Sequence, residues 1–145
     1  MYMVILEDDE RRAEAMCQQV RKRFPEVECI VFDNAPDMIT WMKTSLSSIA
    51  LLSLDHDLGA NRNRDGETFD PGTGRDVANY LTTQEPTCPV IIHSSNYVGA
   101  TGMEFALEYA GWTHERVLPY DDLAWVESPW INMVEKFLEA LSVKN

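Results

Sequence analysis

Ile49-Ala50-Leu51-Leu52-Ser53-Leu54 runs directly into Asp55-His56-Asp57. An apolar run this short, with one small polar interruption, reads as a strand buried on both faces, as strands of a parallel sheet are. Met3-Val4-Ile5-Leu6 repeats the pattern and ends in Glu7-Asp8-Asp9. Acids gathered at the ends of such strands repel one another and lose hydration in a partly dry cleft. A hard divalent cation with oxygen ligands relieves both costs, most often Mg2+, with Mn2+ as the other choice. The two clusters are therefore read first as a metal site with Asp8, Asp9, Asp55 and Asp57 as ligands. Asp57 shares a side with Asp55 only where the chain stays extended; otherwise it caps the loop or offers its carbonyl.

Strand and helix patterns alternate outward from these runs. Ala13, Met16, Val20 and Phe24 mark one face of a helix over residues 10–24, which Asp8 or Asp9 can cap and Pro25 ends. A strand at 27–32 precedes a helix opening at Asp33-Asn34-Ala35-Pro36. After the strand at 49–55 comes a segment from His56 to Gly72, rich in Asn, Asp, Arg and Gly, expected to be a functional loop. A third helix starts near Thr73, and a fourth strand is Pro89-Val90-Ile91-Ile92. A fourth helix covers 98–110, stopped by Gly111, and a short fifth strand falls at Arg116-Val117-Leu118. The last helix opens at Ser128-Pro129.

Five strands alternating with five helices predict an α/β fold, a doubly wound parallel sheet covered on both faces. Right-handed crossovers at this length favour a flavodoxin-like strand order, 2-1-3-4-5, in one domain over residues 1–145. Ligands of such sheets bind outside the carboxyl ends of the strands, at the switch between strands 1 and 3. Both acidic clusters fall there, and strand 4 brings His93-Ser94-Ser95-Asn96 to the same edge.

Composition narrows the partners. The chain has 145 residues, 45% of them hydrophobic, with a formal net charge of −12. That charge repels long polyanions, so non-specific DNA binding is not expected, while a short phosphate held through a metal and local arginines is. No apolar run approaches the ~20 residues that span a bilayer, so no membrane partner is expected. The start has no basic segment and reads as a strand, not a signal peptide. Cys17, Cys29 and Cys88 are widely spaced without a CxxC and read as small buried residues of a cytoplasmic protein. No exposed face is apolar enough to assign an oligomer.

His56 and His93 end adjacent strands beside the acids and are candidate proton carriers near neutral pH. Ser94 and Ser95 are candidate donors to phosphate oxygens, whereas Asn96 suits the cap of the following helix. Arg62, Arg64 and Arg75 lie on or beside the pocket loop, and Arg75, in the first turn of a helix, opposes the dipole unless an anion offsets it. Gly72-Thr73-Gly74 is a weak candidate for an anion-binding turn.

With these residues in place the chain resembles a response-regulator receiver domain over essentially its whole length. Asp8-Asp9 correspond to that family's acidic pair, Asp55 to its phosphoryl-accepting aspartate and Ser94 to its phosphate-reading Ser/Thr. The family's lysine position, just before a proline after strand 5, is Leu118, and its switch aromatic is Glu115. The Asp-His-Asp-Leu-Gly element at 55–59, Thr-Gly at 73–74 and His-Ser-Ser-Asn at 93–96 are similar to a divergent group, the cyclic-phosphate processing receiver domains. That resemblance implies action on cyclic phosphate ends of nucleotides or RNA.

The leading expectation is a Mg2+- or Mn2+-dependent phosphoesterase. Asp55, His56 and His93 would be catalytic, Ser94, Ser95 and Arg75 would bind phosphate, and a phosphate-containing small molecule or RNA end would be the substrate. The alternatives are a stand-alone receiver phosphorylated at Asp55 by a partner kinase, and a non-catalytic metal- or phosphate-binding domain that engages a partner protein.

Overall fold

A computed structural model describes residues 1–60 and 62–144, apart from the side chains of Arg62, Arg64, Val143 and Lys144. The two loop arginines singled out from the sequence, Arg62 and Arg64, thus have side chains outside the described residues. Seven strands and five α-helices follow in order: β1 Tyr2–Leu6, α1 Glu10–Arg23, β2 Glu28–Phe32, α2 Ala35–Ser45, β3 Ile49–Leu54, β4 Arg62–Arg64, β5 Glu67–Phe69, α3 Gly74–Leu81, β6 Val90–Ile92, α4 Tyr97–Tyr109, β7 His114–Arg116 and α5 Ile131–Lys144. Five of the strands form one parallel sheet, in the order β2-β1-β3-β6-β7. This is the predicted 2-1-3-4-5 order, with the small antiparallel β4–β5 hairpin inserted between the third and fourth sheet strands.

Alternation along the buried strands divides the interior in two. Val4, Leu6, Leu52, Leu54, Val90 and Ile92 face α2, α3 and α4. Met3, Ile5, Leu51 and Ile91 face α1 and α5, where Met16, Val20, Trp125, Trp130 and Ile131 close over them. Both faces of β3 are covered, so all six of its residues are buried and all but Ser53 are apolar.

The structure differs from the sequence reading in four places. Residues 62–69 form a hairpin rather than a plain loop, turned by Asp65 and Gly66, both at positive φ (54° and 82°). Such a pair suits the tight turn whose twist matches its strands. The fifth sheet strand ends at Arg116 rather than Leu118, because its partner β6 has only three residues and Val117 N–H makes the last bond, to Ile92 O (2.9 Å). Before α5, residues Val126–Trp130 form a π-turn. Pro129 has no N–H to give Trp125 O, and Trp130 N–H takes that carbonyl instead (2.9 Å). Finally, α4 does expose apolar side chains: Tyr97, Val98, Phe105 and Tyr109. Among the described residues no helix is long and apolar enough to cross a membrane.

α3 is locked under the end of β3. Gly74 N–H bonds His56 O (2.9 Å), Asp57 and Thr73 form an isolated bridge, and Thr73 with Asp76 makes a capping box. A Cβ on Gly74 would collide with Asp55 O. Gly74→Ala must therefore push α3 away from the site strand and is expected to lower stability by about 2–3 kcal/mol. Urea denaturation checks this; an unchanged midpoint would mean that α3 does not press on β3.

Candidate metal and phosphate site

The sheet register sets the site. Leu6 pairs with Leu54, and Leu54 with Ile92. One step further, Glu7, Asp55 and His93 form the next row across the three central strands. Asp55 N–H bonds Leu6 O (3.0 Å), and His93 N–H bonds Leu54 O (2.9 Å). All three side chains are buried, and one ligand atom from each lies within 4.8 Å of the others. They share the parity of Ile5, Ser53 and Ile91 and so face the α1/α5 side.

His93 is held from three directions. Its Nδ1 is 2.7 Å from Ser53 Oγ, which in turn accepts Trp130 Nε1–H (3.0 Å). Its ring stacks on Trp125 at 5.8 Å between centroids. Its Nε2 lies 3.3 Å from Glu7 Oε1. The two atoms are close but misaligned, so each is left without a hydrogen-bond partner among the described residues. A buried carboxylate oxygen and an imidazole nitrogen that face each other unbonded are costly unless something between them takes both lone pairs. When Nδ1–H donates to Ser53, Nε2 is free to act as a ligand, the usual arrangement for a metal-binding histidine.

Electrostatics agree with a shared centre. Burial pushes the Asp55 carboxyl up to about 6, and Glu7 and Asp8 add to the rise, while His93 and the His56 N–H (2.7 Å) oppose it. Burial would also raise Glu7, but nearby His93, with help from the Asp9 N–H and Arg12, holds it below its ordinary range. Arg12 reaches within 3.9 Å of Glu7 Oε1 and lies over the Trp125 ring. Beside this row a hollow of about 440 Å3 is walled by Asp8, Glu10, Asp33 and Asp37. A larger hollow, about 810 Å3, lies at the other end of the sheet near Met1 and Lys136, with no carboxylate in its wall.

The sequence-predicted residues divide accordingly. Asp55 and His93 meet in the row. Asp8 lies beside it, close enough to raise the Asp55 carboxyl. Asp9 is not brought to the row; it caps α1 by accepting Arg12 N–H (3.1 Å). Glu7 takes its place, and the signal was parity: Glu7, not Asp9, extends the row of Leu6 and Leu54 by one step. Asp57 is exposed and engages His56 Nδ1 (2.7 Å) and Asn96 Nδ2 (3.1 Å). His56 holds the Asp57 carboxyl below its usual range. This contact assigns the proton to Nδ1 and leaves Nε2 as the acceptor. The His56 ring sits where a Cβ on Gly99 would be, 2.6 Å away. Asn96 caps α4 by accepting Gly99 N–H (2.9 Å).

Ser94 is buried, with its Oγ accepting Asn96 N–H (3.1 Å), whereas Ser95 is exposed. Arg75 is not brought to the acids: its Nε–H bonds Asn79 (2.9 Å) and its guanidinium lies over Gly102. The sequence reading missed Arg116 at the end of β7. It donates to Ser94 O (2.8 Å), stands over Tyr97, and keeps a buried Nε without a hydrogen-bond partner. The available signal was its place two residues before Leu118, on the same side of an extended chain.

Folded Asp55 gives up its proton at about 6, an unfolded aspartate near ~3.9. The folded chain therefore holds the extra proton between those values, and stability falls as pH rises through that window. In EDTA at about pH 7.5, Asp55→Asn is expected to be more stable than the wild type by roughly 2–3 kcal/mol, the gap closing by about pH 4. Denaturant titrations across this range check it; a gap independent of pH would assign it to something other than Asp55 ionisation.

Known proteins place the fold. No curated protein matches the sequence. Among solved structures, a response regulator receiver domain from Rhodospirillum rubrum aligns with a TM-score of 0.67 at 16% identity, covering 97% of this chain and 94% of that one. The phosphorylated cyanobacterial phytochrome response regulator RcpA aligns with a TM-score of 0.72 at 11% identity, over 96% and 94%. The Mn2+-bound form of response regulator Rcp1 aligns with a TM-score of 0.60 at 10% identity, over 87% and 86%. At these identities the likeness establishes the receiver fold. A family model described as the cyclic-phosphate processing receiver domain matches residues 3–109, and the chain belongs to that family.

Proposed function

We propose that this receiver domain is a divalent-metal-dependent phosphoesterase that opens a cyclic phosphate on a nucleotide or RNA end. The observation that carries the reading is the buried row of Glu7, Asp55 and His93, with Glu7 Oε1 and His93 Nε2 unbonded and facing each other at 3.3 Å. Two carboxylates and an imidazole nitrogen fit Mn2+ better than Mg2+, which keeps to oxygen donors. A cation held there would supply Lewis-acid polarisation of a phosphate oxygen.

The chain's own residues account for the remaining steps. The Asp57–His56 contact orients the imidazole, so that His56 Nε2 accepts the proton of the attacking water. The new P–O bond forms as the ring P–O bond breaks, and the released ribose oxygen takes up the proton that His56 removed from the water. Ser94 Oγ–H and the Arg116 guanidinium, which donates to the Ser94 backbone carbonyl (2.8 Å), steady the phosphate oxygens. The acid-walled hollow favours a short, metal-masked phosphate end over a long polyanion. The rival reading, a receiver phosphorylated at Asp55, loses its reporting ammonium, because an exposed Leu118 stands at that position.

The test is ring opening of an oligonucleotide ending in a 2′,3′-cyclic phosphate, with Mn2+ or Mg2+, the products resolved by electrophoresis. Activity is expected with Mn2+ above Mg2+, to be abolished by EDTA and by Asp55→Asn, and to fall roughly 10²-fold or more in His56→Gln. No turnover with either metal would sink the reading, and stable labelling of Asp55 by a small phosphodonor would favour its rival. Separately, Mn2+ should raise the melting temperature of the wild type and much less that of His93→Gln; an equal rise in both would remove His93 from the ligand set.

A further inference from the structure

Cys17 of α1 and Cys29 of β2 read from the sequence as small buried residues; in the structure their sulfurs lie 2.8 Å apart. Both are free thiols. A disulfide needs ~2.05 Å, so the sulfurs must close less than an ångström. The pair lies against the surface: a hollow of about 470 Å3 is lined by both cysteines together with Glu14, Arg21 and Val31. Cys29 is only half-buried, on the edge strand of the sheet. Cys88, buried in the opposite core layer, has no such neighbour among the described residues.

We propose that Cys17 and Cys29 are a peroxide-responsive dithiol that closes to a reversible disulfide tying α1 to the edge strand. The roles are asymmetric. The contact with Cys29, in which either thiol can donate, and the Arg21 guanidinium lower the Cys17 thiol against the opposing effect of burial. That same bond, together with burial, pushes Cys29 upward. Arg21, one turn along α1 from Cys17 and lining the same hollow, favours a thiolate there, so Cys17 is assigned as the nucleophile and Cys29 as the resolving thiol. The Cys17 thiolate attacks one peroxide oxygen, the O–O bond breaks, and hydroxide leaves to take up the proton Cys17 released. The Cys29 sulfur then attacks the Cys17 sulfenic acid, the S–O bond breaks, and water leaves with the Cys29 proton. Two thiols are oxidised to one disulfide, and one hydrogen peroxide is reduced to two waters.

The crosslink bears on the strand-end site without touching it. α1 starts three residues after Glu7, and Phe32 O at the end of β2 accepts Glu7 N–H (2.9 Å). Oxidation therefore pins both elements that flank Glu7. The proposal stands whether or not the phosphoesterase reading does.

The test treats the reduced full-length protein with a slight excess of hydrogen peroxide, blocks remaining thiols with an alkylating agent and measures intact and peptide masses. Expected are the loss of two hydrogens, one alkylated thiol per chain (Cys88), a linked peptide pair joining Cys17 to Cys29, and full reversal by dithiothreitol. The melting temperature should rise on the order of 5–10 °C on oxidation. Cys29→Ser should instead accumulate a Cys17 sulfenic acid that a dimedone probe traps. Sulfinic acid on either residue without the linked pair, oxidation of Cys88 first, or disulfides only between chains would overturn the proposal. So would a Cys29→Ser protein whose Cys17 does not react with peroxide.

Discussion

A parallel sheet sends every strand end to the same edge, and in this chain three adjacent strands end in ionisable residues at the same step. Glu7, Asp55 and His93 follow Leu6, Leu54 and Ile92, which the ladder aligns. The fold cannot separate them without slipping register, and a one-residue slip would move every side chain of the strand into the opposite core layer. The apolar rows below therefore enforce the polar row above. Ser53 is the one polar residue admitted to the buried strand itself, and its hydroxyl joins Trp130 to His93. The cost of that hydroxyl is offset because both of its neighbours need it.

The two layers around the sheet play different parts. The α1/α5 side clamps the row, with Trp125 stacked on His93 and Arg12 over Trp125. The π-turn forced by Pro129 presents Trp125 and Trp130 inward, and both are fully buried. The α3/α4 side instead presents the exchangeable parts of the site: Asp57, His56 and Asn96 form a hydrogen-bonded group near solvent, resting on Gly99. One half of the site is rigid and dry, and the other is polar and reachable, a division suited to holding a cation in the first and moving protons in the second.

Much of this was legible in the sequence. The runs at 3–6 and 49–54 are apolar without helical period, and the caps Asn34, Thr73 and Asn96 stand where their helices begin. Strand order followed from alternation and handedness. The hairpin was missed because its three-residue strands carry no apolar alternation, although Asp65-Gly66 is a turn signal. The acids at the strand ends were named from the sequence as Asp8, Asp9, Asp55 and Asp57, whereas the register sets Glu7 in the row with Asp55 and His93 and leaves Asp9 to cap α1. Only the register distinguishes a carboxylate that continues a strand from one that caps the next helix. The Cys17–Cys29 contact is a tertiary fact, created by the placement of α1 against β2, and no local pattern announces it.

Because the row joins three segments distant in sequence, it does not exist in the unfolded chain. Its repulsion is felt only once the central strands have docked, late in assembly. Neutralising it would then leave the folding rate nearly unchanged and slow unfolding, so occupancy of the row would govern how long each folded molecule lasts rather than how fast it forms.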